Sequence, residues 1–312
     1  MALRLTDGTT VTDLVEPPQG IRHRLLFGVE QRSGREVAVK VELIDGALAD
    51  ERRALEWLTE QDAPAPRLRA ACRLDDSGEH PGAACLIVDR VAGGPTSSLA
   101  AWGRLGRALA RLAEVPWEGS GLTVLDHDAF RDLHERRVAD LSTALGRDVA
   151  ASLPPLPDSY AEAPLVITHG DPGPGNFVDD GVEGTLVDWE DAVVAPRGLD
   201  LGRARFIALL GVGPEGWVAE ELEERAGAAT AGFLAEIGAL ADAADRPAGE
   251  AAGGVEAVDA VKAAATIESE LDWWLAFAGV QFAHWRLERS ESPRVPPWLD
   301  AMATLESAFP AR

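Results

Sequence analysis

The segment Leu165 to Asp191, LVITHGDPGPGNFVDDGVEGTLVDWED, limits what this chain can fold into more than any other stretch. Leu165 to Thr168 is a short apolar strand pattern that leads into a Pro/Gly turn. The run DDGVEG then folds a second strand back beside the first. Asp171 and Asn176 stand five apart across the turn, and Asp188 lies on the returning strand. Carboxylate and amide oxygens at adjacent strand ends are hard ligands that suit magnesium carrying phosphate groups. The spacing holds such an ion near a separate carboxylate.

An Asp and an Asn in a Pro/Gly turn are by themselves ordinary turn chemistry. Composition changes their weight. Lysine occurs only at Lys40 and Lys262, and asparagine only at Asn176. Both types have adenine-rich codons, so GC-rich coding explains their depletion and makes the surviving positions informative.

Upstream, His23 to Glu30 suits a strand, Gln31 to Gly34 a turn, and Arg35 to Leu43 (REVAVKVEL) is β-branched and alternating, which predicts a hairpin. Leu48 to Leu58 has helical periodicity with one buried face. Ala84 to Val91 (ACLIVDRV) is a further strand pattern, ended by Gly93, Gly94 and Pro95. These elements predict a small antiparallel β-rich lobe with one main helix, ending near residue 92. Beyond it Ser97 to Ala113, Asp128 to Leu145, Glu215 to Ala244 and Glu256 to Arg289 read as helices, with RPAGEAAGG as an exposed loop between the last two. No internal repeat of fixed period is present.

The residues His169-Gly170-Asp171-Pro172-Gly173-Pro174-Gly175-Asn176 resemble the HGDxxxxN catalytic loop of the aminoglycoside phosphotransferase and choline kinase superfamily, itself similar to HRDxxxxN of protein kinases. Leu186 to Glu190 resembles the metal-binding segment that follows that loop. Asp200 falls where the family has a helix-leading aspartate bracing it. Val37-Ala38-Val39-Lys40 matches the strand whose lysine contacts the α- and β-phosphates, and Glu51 matches the helix glutamate that pairs with this lysine.

The resemblance implies an α+β, two-lobed protein-kinase-like fold. Residues 1–92 form the nucleotide-binding N-lobe, and 93–312 a larger, mostly helical C-lobe with the catalytic loop and acceptor pocket. It implies ATP and Mg2+ as cofactors. Asp171 accepts or orients the substrate hydroxyl's proton, Asn176 and Asp188 hold magnesium, and His169 braces the loop. Asp89, Arg90 and Val91 fall in the hinge whose backbone reads the adenine edge. The turn Gly28 to Gly34 lacks GxGxxG, so Ser33 is expected at the phosphates from position alone. About a dozen residues separate Asp188 from Asp200, too few for the segment on which protein kinases lay a peptide, and a small-molecule acceptor follows.

In this family the helical lobe supplies the acceptor pocket. The candidates are Glu268, Asp272, Trp273, Trp274 and His284, with Glu268 and Asp272 on one helix face. Aromatic residues at helical spacing are more often core than a stacking wall. The formal net charge of −23 repels phosphate backbones and anionic membranes, excludes nucleic acid as a natural partner, and favours a cationic substrate. Two cysteines, Cys72 and Cys85, are too few for a disulfide framework. With no apolar run resembling a secretion signal or a membrane span, the expected location is the cytoplasm.

The expected activity is ATP-dependent phosphorylation of a hydroxyl on a small, amine-bearing molecule such as an aminoglycoside or amino-sugar. Choline, homoserine or a thioribose are alternative acceptors. A pseudokinase module is the reading from another class, and it would require the loss of Lys40, Asp171, Asn176 or Asp188, all of which are present.

Overall fold

The computed structural model describes residues 2–17, 23–75, 80–96, 98–210, 219–244 and 257–289. Six strands, β1 (Leu3–Arg4), β2 (Thr10–Val15), β3 (His23–Glu30), β4 (Glu36–Glu42), β5 (Leu68–Arg73) and β6 (Ala84–Asp89), form one sheet in the order β1-β2-β3-β4-β6-β5. All neighbours are antiparallel.

Strand periodicity sorts the side chains of β4. Val37, Val39 and Val41 point to one face and close a core with Leu26 and Ile87. Ala38 belongs to the core on the opposite face, with Leu55 and Leu58 of helix α1 (Ala49–Glu60). Lys40 shares that second face by alternation. Helix α1 buries Glu51, Ala54, Leu55 and Leu58, one stripe at helical spacing.

The chain then turns through β7 (Gly94–Pro95) into α2 (Leu99–Ala113), α3 (His127–Leu145), β8 (Leu165–Thr168), β9 (Phe177–Asp179), β10 (Thr185–Leu186), β11 (Val193–Pro196), α4 (Leu199–Leu210), α5 (Ala219–Ala244) and α6 (Ala257–Arg289). The Ser98 hydroxyl caps α2, and the Asp126 carboxylate caps α3. Packing against α5 places Trp102, Leu105 and Leu109 of α2 in one core with Phe233 and Ile237. No helix among the described residues is long and apolar enough to cross a membrane.

The α+β architecture agrees with the expectation from sequence, with differences in detail. Strands β1, β2, β5, β7, β9 and β11 are additional, and α4 is the helix that Asp200 leads. The strand that returns after DDGVEG pairs with β9, whereas β8 pairs with β11. The reason is local: Asp180 Oδ1 accepts the amides of Val182, Glu183 and Gly184, closing a turn so tight that β10 meets the strand just before it. The connection between His169 and Asn176 thereby leaves β8 and enters β9 as an open loop.

Candidate active site

The loop after β8 is held from beneath by Asp200, in the first turn of α4. Its Oδ2 accepts the His169 amide at 2.6 Å, and its Oδ1 accepts the Gly170 amide at 3.0 Å. Burial pushes the Asp200 carboxyl up to about 6, although these two amides favour its charged form. Gly170 has φ +84°, and a Cβ there would lie 2.1 Å from the Asp191 carbonyl oxygen, so the turn admits only glycine.

His169 is fully buried. Its Nε2 faces the Val187 carbonyl at 2.9 Å, and its Nδ1 accepts the Asp171 amide at 3.2 Å. A carbonyl can only accept, so Nε2 carries the hydrogen and the ring is neutral. Burial agrees, lowering its pKa to about 4. Both ring nitrogens of His169 are thus engaged by the backbone on either side of the loop.

Asn176 donates its amide nitrogen to Asp171 O and to Asp171 Oδ2, both at 3.0 Å. Both partners are acceptors, which fixes the amide's orientation and directs Asn176 Oδ1 away from Asp171. Asp171 opens onto a cleft of about 930 Å³. The protein crowded around it raises its carboxyl above the ordinary value. Arg203 opposes this, and the Asp191 and Asp188 carboxylates add to it.

Beside the cleft-lining Asp188, Lys40 Nζ lies 2.6 Å from Glu51 Oε1 and 2.7 Å from Asp188 Oδ1. Burial alone would lower the lysine's pKa, but the two carboxylates override it and raise it. Burial likewise works against the Asp188 carboxylate, and the Lys40 ammonium more than offsets it, so its pKa is lowered. Both groups are therefore charged at neutral pH. Asp188 has φ +70°, which turns its side chain out of the strand direction.

The Asp188 carboxylate and Asn176 Oδ1 are a hard donor set, and the donor chemistry fits a divalent ion bound to phosphates. His23, at the start of β3, and Glu190 bring a further nitrogen and carboxylate within 4.8 Å of Asp188, a grouping that sequence spacing did not reveal. Arg203 was also missed. It lines the cleft, donates to Gln281 Oε1 at 2.8 Å, and sets a cation in the field of Asp171, Asp191 and Asp200.

Several expected positions are corrected. The β3–β4 turn holds Ser33, whose hydroxyl donates to Glu30 Oε2. That turn lies beyond Glu36, at the end of β4 away from Lys40, four residues or about 13 Å of strand. Ser33 is therefore a turn residue. Trp273 and Trp274 are 5% and 0% exposed and pack with Phe130, Tyr160 and Phe277, so they are core and cannot stack on a ligand. Trp274 Nε1 donates to the buried Glu270.

Asp272 is exposed and does not line the cleft, while His284 does, paired with Asp140 at 3.0 Å. The Glu268 side chain lies outside the described residues. At the hinge, Asp89 forms a two-pronged ion pair with Arg69, and the Arg90 guanidinium sits 4.8 Å over the Phe27 ring. The Asp89 and Arg90 amides donate to Arg67 O and Glu36 O. Val91 N–H is the first hinge amide without a backbone acceptor among the described residues.

A sheet-bound lysine facing a carboxylate and an Asp/Asn loop, with a helical lobe around the cleft, defines a kinase-like phosphotransferase. The sequence profile described as the phosphotransferase enzyme family matches residues 29–219, more than half of the chain. The chain belongs to that family and is a small-molecule phosphotransferase acting on a hydroxyl group.

Solved structures similar in fold include choline kinase from Cryptosporidium parvum Iowa II, with TM-score 0.57, 11% identity and coverage of 96% of this chain and 87% of the other. Aminoglycoside phosphotransferase APH(4)-Ia gives TM-score 0.56, 15% identity and coverage of 96% and 92%. Amicoumacin kinase hAmiN, in complex with AMP-PNP, Ca2+ and Ami, gives 0.54, 12% and coverage of 95% and 86%. A search of curated proteins finds no significant match.

Proposed function

We propose that the protein transfers the γ-phosphoryl group of ATP to a hydroxyl of a small polar molecule, with Asp171 as the residue that orients and deprotonates that hydroxyl. The observation that carries this reading is that Asp171, bonded by Asn176, and Asp188, paired with the Lys40–Glu51 couple, line one cleft. The complex of hAmiN with AMP-PNP and Ca2+ supports ATP with a divalent ion as the donor. In the proposed division of labour, residues 1–92 bind the nucleotide and 93–312 carry the loop and the acceptor pocket.

Lys40, kept charged by Glu51 and Asp188 beside the cleft, would meet phosphate oxygens as a point charge. Glu51 fixes its direction. Asp188 and Asn176 would hold Mg2+, which when bound neutralises charge on the phosphates. Val91 would offer its free amide to the adenine edge. Asp171 is oriented by the Asn176 amide through Oδ2, so Oδ1 faces the acceptor. In its carboxylate form it accepts the proton late in transfer. Asp191 and Glu190 line the same cleft, and an amine on the acceptor would meet them there.

The test is a coupled nucleotide-turnover screen over aminoglycosides, amino-sugars, amino alcohols and hydroxy amino acids, with calorimetry of ATP with and without Mg2+. Magnesium-dependent binding and phosphate ester formation support the reading. Equal ATP binding in both conditions would sink it.

A further inference from the structure

On helix α3 the face toward the cleft carries Phe130, Leu133 and Arg137, at helical spacing. A guanidinium thus occupies a position where the stripe would otherwise continue apolar. Opposite it stand aromatic side chains, Phe282 and Trp285, stacked with centroids 5.8 Å apart.

Among the described residues Arg137 makes no hydrogen bond and no ion pair, and its Nη1 is buried without a partner. Its surroundings do not compensate it. Burial lowers its pKa to about 10, and Arg203 pushes the same way. Glu288, the favourable neighbour, lies 3.6 Å from His284 Nδ1. The chain has 52 acidic residues against 29 basic ones, so a lack of carboxylates does not explain an unpaired arginine. Arg203 is the contrast: it also lines the cleft, but it bonds Gln281 and faces three carboxylates.

A guanidinium is a planar fork suited to two oxygens of one anion, and an unmet cation at the rim of an apolar wall is completed by such a group. We infer that Arg137 binds a carboxylate on the acceptor, so that the substrate is a hydroxyl-bearing carboxylic acid whose apolar middle lies against Leu133, Phe282 and Trp285. This rests on the phosphotransferase reading for the position of the hydroxyl at Asp171, and it adds a negative group at the far end of the same molecule. It also departs from the purely cationic acceptor that net charge favours, because local groups in a cleft outweigh a diffuse surface field.

The probes are hydroxymethyl-benzoic and hydroxymethyl-phenylacetic acids, each beside its methyl ester, which keeps hydroxyl and ring and removes the charge. Binding is measured by calorimetry without nucleotide, so the result stands whatever happens with ATP. Wild type is expected to bind the acids about 10- to 100-fold more tightly than the esters, the range of a charge-assisted pair. Arg137→Gln should abolish this preference, and Arg137→Lys should retain part of it. Arg137→Leu, which continues the apolar stripe, serves as a second folded variant without the charge. Acids that bind no better than esters in wild type, or a preference that persists in Arg137→Gln and Arg137→Leu, overturns the assignment. Mg-ATP binding is followed separately: its failure removes the kinase reading, while its success with no acid preference removes only the role of Arg137.

Discussion

Lys40 and Asp188 are 148 residues apart and meet at 2.7 Å, an ion pair that joins the centre of the sheet to the segment after the catalytic loop. Glu51 completes the group from helix α1. Three elements that share no local sequence thus present one cation between two carboxylates. The chain holds this lysine by the same charges that keep it protonated.

Removing that lysine has a cost beyond lost nucleotide binding. The Glu51 side chain is 2% exposed, and Lys40→Met leaves it as an uncompensated buried acid. Breaking such a pair typically costs about 3–5 kcal/mol. Adding Glu51→Leu should restore much of the stability without restoring ATP binding. Denaturant unfolding of the two variants, with ATP calorimetry on each, separates these effects. A double variant no more stable than Lys40→Met would show that the pair is not the source.

Helix α4 carries Asp200, and Gly202 sets how closely α4 approaches α6. A Cβ on Gly202 would lie 2.7 Å from both the Cβ and the carbonyl oxygen of Trp274. Gly202→Ala is expected to lose about 1–3 kcal/mol from overpacking, and to lower turnover as Asp200 shifts under the loop. A Cβ on Gly227, in helix α5, would meet nothing within 4 Å. Gly227→Ala should therefore gain up to about 1 kcal/mol from helix propensity alone. Thermal melts of the pair read out the opposite signs, and two shifts of the same sign would refute the packing account.

His169 predicts how stability changes with pH. Its folded pKa of about 4 lies below the ordinary 6.5, so its contribution is complete above pH 6.5 and is lost as pH falls toward 4. His134, lowered by burial to about 4, acts in the same direction. Asp200 acts in the opposite one, since a carboxyl raised to about 6 favours the folded state as it takes up a proton. His169→Gln should flatten the acid loss by as much as one proton, about 1.4 kcal/mol per pH unit. Unfolding free energies of wild type and variant at pH 7, 6 and 5 check this. A gap between them that stays constant with pH would mean the imidazole is not held neutral.

Much of the site was legible because its residues are local in sequence or fixed by period. The loop from His169 to Asn176 carries its spacing on its face, and alternation in Val37 to Lys40 put the lysine opposite the valines. The parts that were not legible depend on distance or direction. Strand β2 hides behind a register shift between Thr12 and Val15, and Asp13 there has φ +54°. Short strand β5 follows the prolines at 64 and 66, which read as loop. Ser33 lay in a plausible turn at the wrong end of the sheet. Trp273 and Trp274 share a helix with Gln281 and Trp285, and sequence period alone does not tell the core face from the cleft face of α6. Arg137, in an Arg-Arg pair on a charged helix, carries no sequence signal that sets it apart from a solvated residue.

Asp171 offers the sharpest separation of binding from chemistry. Its Oδ2 accepts the Asn176 amide, and its backbone amide donates to His169 Nδ1, so the side chain is positioned by two bonds that an amide in its place can keep. Asp171→Asn is nearly isosteric and removes only the capacity to take a proton. The variant should keep the wild-type melting temperature within a degree or two and bind Mg-ATP with unchanged affinity. Its turnover should fall by about 10² to 10⁴, the usual worth of a positioned acid or base. Because protein crowding raises the Asp171 carboxyl, the acid limb of wild-type turnover should lie above the ordinary carboxylate value, and the variant's residual activity should lack that limb. Melting temperature, nucleotide calorimetry and a pH series of acceptor phosphorylation are measured side by side on the two proteins. A stable variant that binds Mg-ATP and turns over at the wild-type rate would falsify the catalytic role of Asp171.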